Sequence, residues 1–166
     1  MRTDWSEVLL DLLNTTPVVD GTPTDDLADD AAARAWLRVH GGDGDERLDQ
    51  VRQVRADLGR VIRGDADADV LNRYLVAVRR VPTIHGGGLA WTLAESADWP
   101  ARVVLAWGEL QSDRPGRLRA CANGECQLFL FDRTRAGTAR WCSMSGCGNR
   151  MKARRHYSRT ARKSGS

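Results

Sequence analysis

Cys121-Ala122-Asn123-Gly124-Glu125-Cys126 and, fifteen residues further on, Cys142-Ser143-Met144-Ser145-Gly146-Cys147 hold all 4 cysteines of the chain. Two thiol pairs, each bridged by a short loop, can converge on one tetrahedral ion. Zinc suits four thiolates because it is borderline soft, redox-inert and indifferent to geometry. Each loop contains a glycine, so its backbone can turn and aim amides at the sulfurs. Gln127 to Phe131 reads as a strand and Asp132 to Thr138 as a turn. Arg140-Trp141 leads back, so a hairpin is expected to join the two knuckles. With four protein ligands the ion has no open position, which makes it structural rather than catalytic. Two disulfides, an iron–sulfur cluster or four buried free thiols are the alternatives. Disulfides conflict with an intracellular chain; a cluster would use the same four ligands.

Outward from the last cysteine, Gly148 to Arg159 reads as a helix starting at the metal. Ala153, Tyr157 and Ala161 form a thin packing stripe, and Arg150, Lys152, Arg154, Arg155 and Arg159 spread over the other faces. Such a module of about 40 residues buries little core alone, so the ion and Phe129, Phe131 and Trp141 are expected to stabilise it. Residues 116–166 carry 12 Lys and Arg against 2 Asp and Glu, a charge of +10, whereas residues 1–115 carry 13 against 20, a charge of −7. An ion held by four thiolates contributes −2 and leaves about +8. That asymmetry points to a polyanionic partner for the basic end. Nearly all of the cations are arginine, whose planar fork suits phosphate and guanine edges.

Further outward, Ser112-Asp113-Arg114-Pro115-Gly116 is the clearest boundary, because the charge inverts there. The units are a helical body over 1–115, a metal module over 116–160 and a frayed tail over 161–166. Within the body, Asp4 to Asn14 places Val8, Leu9, Leu12 and Leu13 on one stripe. Asp25 to His40 reads as a second helix, capped by Thr24. A third, capped by Asp45, carries Leu48, Val51, Leu58 and Ile62 and ends at Gly64. Val70, Leu71, Tyr74, Leu75 and Val78 mark a fourth. Val81 to His85 and Leu89 to Leu93 flank Gly86-Gly87-Gly88 as a hairpin. Trp99 to Leu110 is a fifth helix. The fold class is therefore α+β, mainly α: a helical domain with a small hairpin, then a treble-clef- or zinc-ribbon-like module ending in a basic helix.

Several functions are disfavoured. Residues 1–7 have no apolar signal core, so secretion is not expected, and no run reaches the ~18 apolar residues of a membrane helix. Asp65, Asp67 and Asp69 alternate like the start of a calcium loop, but Val70 and Val76 stand where glycine and glutamate are needed. The three glycines at 86–88 lack the lysine of a phosphate loop. No paired acids with a histidine, no nucleophile motif and no cofactor loop is visible, so an enzyme is not expected. His40, His85 and His156 read as structural or incidental. Trp5, Trp36, Trp91, Trp99 and Trp107 fit helix stripes and read as core anchors, with an aromatic pocket for a small-molecule ligand as the alternative.

The run Trp141-Cys142-Ser143-Met144, followed by Cys147-Gly148-Asn149-Arg150, resembles the CGNR zinc finger. Cys121-x4-Cys126, the Leu-Phe-Leu-Phe strand and Asp132-Arg133 match it too. In that family the finger follows a helical domain called ABATE, associated with stress-induced transcription regulation. Leu10-Asp11-Leu12-Leu13-Asn14-Thr15 and Asp26-Leu27 through Trp36-Leu37 are similar to its opening. The resemblance implies zinc on Cys121, Cys126, Cys142 and Cys147, and DNA contact by Asn149, Arg150 and the basic helix.

The expectation is a bacterial, cytoplasmic transcription regulator that holds one structural zinc. Its nucleic-acid surface would comprise Asn149, Arg150, Lys152, Arg154, Arg155 and Arg159, with Arg133, Arg135 and Arg140 from the loop. Asn149 reads first as a local hydrogen-bonding residue, and Arg150 equally as a partner of the thiolates or Asp132. A protein–protein adaptor whose acidic body docks a basic partner or its own tail is a second reading. RNA binding, with Phe129 or Trp141 stacked on unpaired bases, is a third. A lone finger reads few base pairs, so specificity is expected to need a homodimer or extra contacts.

Overall fold

The computed structural model describes residues 3–93 and 97–163, the side chains of 158–163 excepted. Helix α1 (Trp5–Leu13) starts where the Asp4 carboxylate accepts the Ser6 and Glu7 amides. Its Leu9, Leu12 and Leu13 are almost wholly buried. A two-residue-strand hairpin, β1 (Val18–Val19) and β2 (Thr22–Pro23), follows. Helix α2 (Asp30–Val39) begins five residues later than the sequence predicts. Asp29, not Thr24, caps it through the Ala32 amide at 2.8 Å. The Asp25 carboxylate is engaged by the Leu27 amide and the Arg55 guanidinium, so residues 25–28 stay as a turn. Helix α3 (Leu48–Arg63) has no side-chain cap; Asp45 lies in the preceding turn. It ends at Gly64, whose φ of 82° takes the left-handed conformation that closes a helix.

The expected fourth helix is a 3-10 segment, Ala68–Tyr74. It is anchored to α3 by the buried Asp57, which accepts from the Tyr74 hydroxyl at 2.7 Å and from Gln53 at 3.1 Å. Burial, reinforced by that carboxylate, pushes the Tyr74 hydroxyl well above its ordinary range, so it stays a donor. The predicted hairpin is β3 (Arg80–His85) and β4 (Gly88–Leu93). Gly86 and Gly87, with φ of 59° and 81°, make its two-residue turn. Helix α4 (Trp99–Asp113), capped by Asp98, packs on α1 and α3.

The metal module departs from the expected hairpin. Strand β5 (Leu118–Ala120), before the first knuckle, pairs antiparallel with β6 (Phe129–Phe131), after it. The hairpin therefore encloses one knuckle instead of joining two. The return segment forms no strand and touches the first knuckle through the Ala122 amide on the Arg140 carbonyl at 2.8 Å. Helix α5 (Asn149–Lys163) grows out of a wide helical turn over Met144–Gly148. It runs on through 161–163, where fraying is expected from the sequence; residues 164–166 lie outside the described residues.

Leu118 and Phe129 belong to the same apolar core as Leu9, Leu12, Leu58 and Val103. The charge boundary near Pro115 is thus not a boundary in the packing. The Asn14 side chain acts as a strand edge for β6: its amide oxygen accepts the Phe129 N–H at 2.7 Å, and its NH2 donates to the Phe129 carbonyl at 3.3 Å. Arg63 stacks on the Phe129 ring, 4.2 Å from its centroid, and donates to the Gln127 carbonyl at 2.6 Å. A Cβ on Gly59 would stand 3.5 Å from that ring and 3.1 Å from the Arg63 guanidinium. Glycine in mid-helix costs about 1 kcal/mol against alanine; here it leaves the Arg63 guanidinium free to lie over the Phe129 ring.

Candidate metal centre and basic surface

The four Sγ atoms of Cys121, Cys126, Cys142 and Cys147 lie within 4.8 Å of one another. Tetrahedral zinc with bonds of about 2.3 Å sets sulfur–sulfur edges of about 3.8 Å. Cys126–Cys142 and Cys142–Cys147 are each 3.7 Å apart, which fits a single ion. The same spacing is too long for disulfides and too short for thiolates splayed around a multi-iron cluster. Without a cation, burial and crowding by neighbouring sulfurs push the Cys142 thiol far up. Burial pushes Cys126 up as well. Burial also opposes ionisation of Cys147, but the donor from Asn123 and the adjacent thiols outweigh it and bring that thiol down. The donor set is four clustered soft sulfurs, and the chain holds one zinc ion there.

The shell around the sulfurs is specific. Asn123 is fully buried, donates from Nδ2 to Cys147 Sγ at 3.4 Å and accepts the Glu125 amide at 3.3 Å. The Cys142 amide points at Cys121 Sγ, 3.5 Å away. These donors offset the excess negative charge of four thiolates. Cys121 and Cys147 are buried, and the other two are half-buried. The second knuckle is a helical turn whose Ser143 hydroxyl accepts the Gly146 amide at 2.9 Å. Gly148 is tightly enclosed: a Cβ would stand 3.0 Å from Met144 Sδ and 3.3 Å from the Trp141 ring, so a side chain there requires Met144 to shift.

The turn at residues 132–140 is built on Asp132, whose side chain is wholly buried. Its carboxylate accepts the Thr134 hydroxyl at 2.6 Å, the Thr134 amide at 2.9 Å and the Ala139 amide at 3.0 Å, and it pairs with Arg119. The Thr134 hydroxyl leads in holding this carboxyl below its ordinary range, against the opposing effect of burial. Arg117 lies 3.8 Å from the same carboxylate and donates to the Thr134 and Arg135 carbonyls. The sequence-based pairing of Arg150 with Asp132 is therefore corrected: Arg117, just before β5, and Arg119 within it fill that role. Their place in the arm before the first cysteine gave no sign of it.

The basic residues fall into two exposed sets. Arg133, Arg135 and Arg140 sit on the Asp132-organised turn. Arg133 reaches Glu7 of α1 at 3.5 Å, and Arg140 lies over the Trp141 ring at 5.4 Å. Arg150, Lys152, Arg154 and Arg155 are exposed along α5; Arg154 pairs with Glu125 of the first knuckle. The Arg159 and Ala161 side chains lie outside the described residues. Asn149 donates to the Ser145 carbonyl at 3.4 Å, the local role expected for it. The expected packing stripe on α5 does not form: Ala153 is exposed, and Tyr157 is 73% exposed. The helix packs on the metal-bearing turn.

The tryptophans are mostly core. Trp99 meets Trp5 and Trp36 edge to face at 6.1 and 5.8 Å and donates to the His40 carbonyl at 3.0 Å. His40 stacks on Trp36 at 3.8 Å. Thr15, from the N-terminal motif, is buried and receives Arg55, which forks onto Asp25 at 2.6 and 2.7 Å. That motif is a structural clasp, since Asn14 holds the finger and Thr15 holds α3.

No helix among the described residues is long and apolar enough to cross a membrane. Two family models match the chain. Residues 6–122 match ABATE, described as "Putative stress-induced transcription regulator", and residues 117–160 match the CGNR zinc finger. The matches overlap at 117–122, the segment through which β5 joins the common core. No curated protein matches the chain.

Proposed function

The chain belongs to the ABATE family and ends in a CGNR zinc finger, and from that premise we propose that it is a DNA-binding transcription regulator. The observation that carries this reading is the set of exposed cations on α5, a helix whose first turn is anchored at the metal centre through Cys147. Zinc fixes where the arginines project; the arginines supply phosphate contacts, with Arg150 nearest the metal and best fixed for a base edge. Arg133, Arg135 and Arg140 add a second group of phosphate contacts from the turn. The regulator works in the bacterial cytoplasm, at the nucleoid, within a stress response. Because one finger reads few base pairs, it binds as a homodimer.

The geometry favours this over the other two readings. Among the described residues, α5 packs chiefly on the metal-bearing turn of its own finger, which counts against an adaptor that masks its own tail. Phe129 is 3% exposed, so it cannot stack on an unpaired base; of the two aromatics named for RNA, only Trp141 is accessible. Both matched families are a zinc finger and a regulator domain rather than enzymes. The test uses the full zinc-loaded chain. Neutralising Arg150, Lys152 and Arg155 together to glutamine should weaken duplex DNA binding by at least about tenfold at 0.1 M salt with the melting temperature unchanged. Undiminished binding by this variant rejects the assignment.

A further inference from the structure

The hairpin β3–β4 carries an apolar face with no place in the DNA-binding reading. Side chains alternate along each strand, so the register places Arg80, Pro82 and Ile84 on the same face as Leu93, Trp91 and Leu89. Ile84 and Leu89, at the tip, are 75% and 63% exposed. At the root this face overhangs α4 and the start of α1, and a cleft of about 360 Å3 lies between them. Trp5 and Trp91 line it together with Arg80, Arg102, Leu105 and Glu109. Trp91 is 59% exposed, a costly position for an indole that serves only as a core anchor. Arg102 is held by its Nε–H donating to the Ala97 carbonyl at 3.0 Å, and its guanidinium lies over Trp5 at 5.6 Å.

Two indoles and two guanidinium groups around an open cleft select a flat apolar ligand with a negative end. The volume is at the small end of ligand sites, which run from about 300 to 1,000 Å3, and admits one bicyclic molecule. Glu109 limits the tolerated charge, because a second carboxylate on the ligand would face it. We infer that this cleft binds an aromatic monocarboxylate. The ring lies against Trp91 and Trp5, and the carboxylate takes charge-assisted hydrogen bonds from Arg80 and Arg102. This inference is independent of DNA binding and stands or falls without it.

Calorimetric titration of the full zinc-loaded chain with 2-naphthoate tests the site. Saturable one-to-one binding is expected. Arg80→Gln and Trp91→Ala alter exposed side chains, so both variants should melt with the parent and bind at least about tenfold more weakly. The neutral 2-naphthamide, which needs no variant, should also lose about tenfold. Absence of saturable heat up to about 1 mM, equal affinity for acid and amide, or unchanged affinity in both variants each overturns the assignment.

Discussion

Asn14→Ala probes the joint between the body and the finger. The side chain supplies two hydrogen bonds to one residue, Phe129, at 2.7 and 3.3 Å across a sequence separation of 115. Alanine leaves the Phe129 N–H and C=O unmet beside the core, where Phe129 is 3% exposed. An unsatisfied buried group costs about 1–3 kcal/mol. Both groups are only partly enclosed, so the pair should cost about 2–3 kcal/mol. Against a total stability of about 5–15 kcal/mol this is large. For a chain of this size it lowers the melting temperature by about 4–10 °C. Near-ultraviolet circular dichroism of the zinc-loaded chain reads the core tryptophans, and a chromogenic chelator reads release of the ion. Because Phe129 lies between the two, the variant should lose tryptophan signal at lower temperature and release zinc faster at the same chelator concentration. A melting point within about 1 °C of the parent's, or a parent that unfolds in two separate transitions, refutes the joint.

Other consequences follow from the same contacts. Gly59→Val places two methyl groups against the Phe129 ring and the Arg63 guanidinium, and should destabilise by about 1–3 kcal/mol in denaturant titration. Asp25 answers to pH: hydrogen bonds from Arg55 hold its carboxyl below the ordinary 3.8, against burial, which raises it. Its contribution is therefore complete above pH 3.8 and disappears as pH falls through the lower folded value. Asp25→Asn should be less stable than the parent near neutrality, and the two should converge in acid. Replacing zinc by cobalt should give the thiolate-to-cobalt absorption of a tetrahedral four-sulfur site, and Cys126→Ser should change its intensity and weaken the ion's retention.

The cysteine centre was legible because ligand chemistry and spacing are local. So were α1, the glycine-turned hairpin and α4, each of which combines a cap or turn with a regular apolar period. What escaped the sequence is long-range. Thr24 is as good a cap residue as Asp29, and the actual start of α2 is decided by Arg55 and Arg52 of α3, which claim Asp25 and the Leu27 carbonyl. The stripe Val70–Val78 has helical spacing, but the Tyr74–Asp57 bond draws a tighter segment onto α3. The sequence predicts the return before Cys142 as the neighbour of strand β6, whereas the arm before Cys121 takes that place. The arm prevails because Leu118 can join the core while Arg117 and Arg119 reach Asp132. Nothing local marks Asn14 as the edge of a strand 115 residues away.

These contacts also sharpen the charge asymmetry. Several cations of the last third are not a loose tail against an acidic body: two of them organise the Asp132 turn, Arg154 ties α5 to the first knuckle, and Arg133 reaches across to the body at Glu7. Exposed pairs of that last kind contribute at most about 1 kcal/mol, so a phosphate can displace Glu7 from Arg133 at little cost.

The most direct test of the account is duplex DNA binding by the full chain across a salt series, with and without a zinc chelator. If about 5 phosphates are neutralised by the metal-anchored arginines, log affinity falls against log salt with a slope of about −4 to −5. Chelation should abolish binding, and restoring zinc should restore it. A slope near zero, or binding that survives loss of the ion, contradicts it.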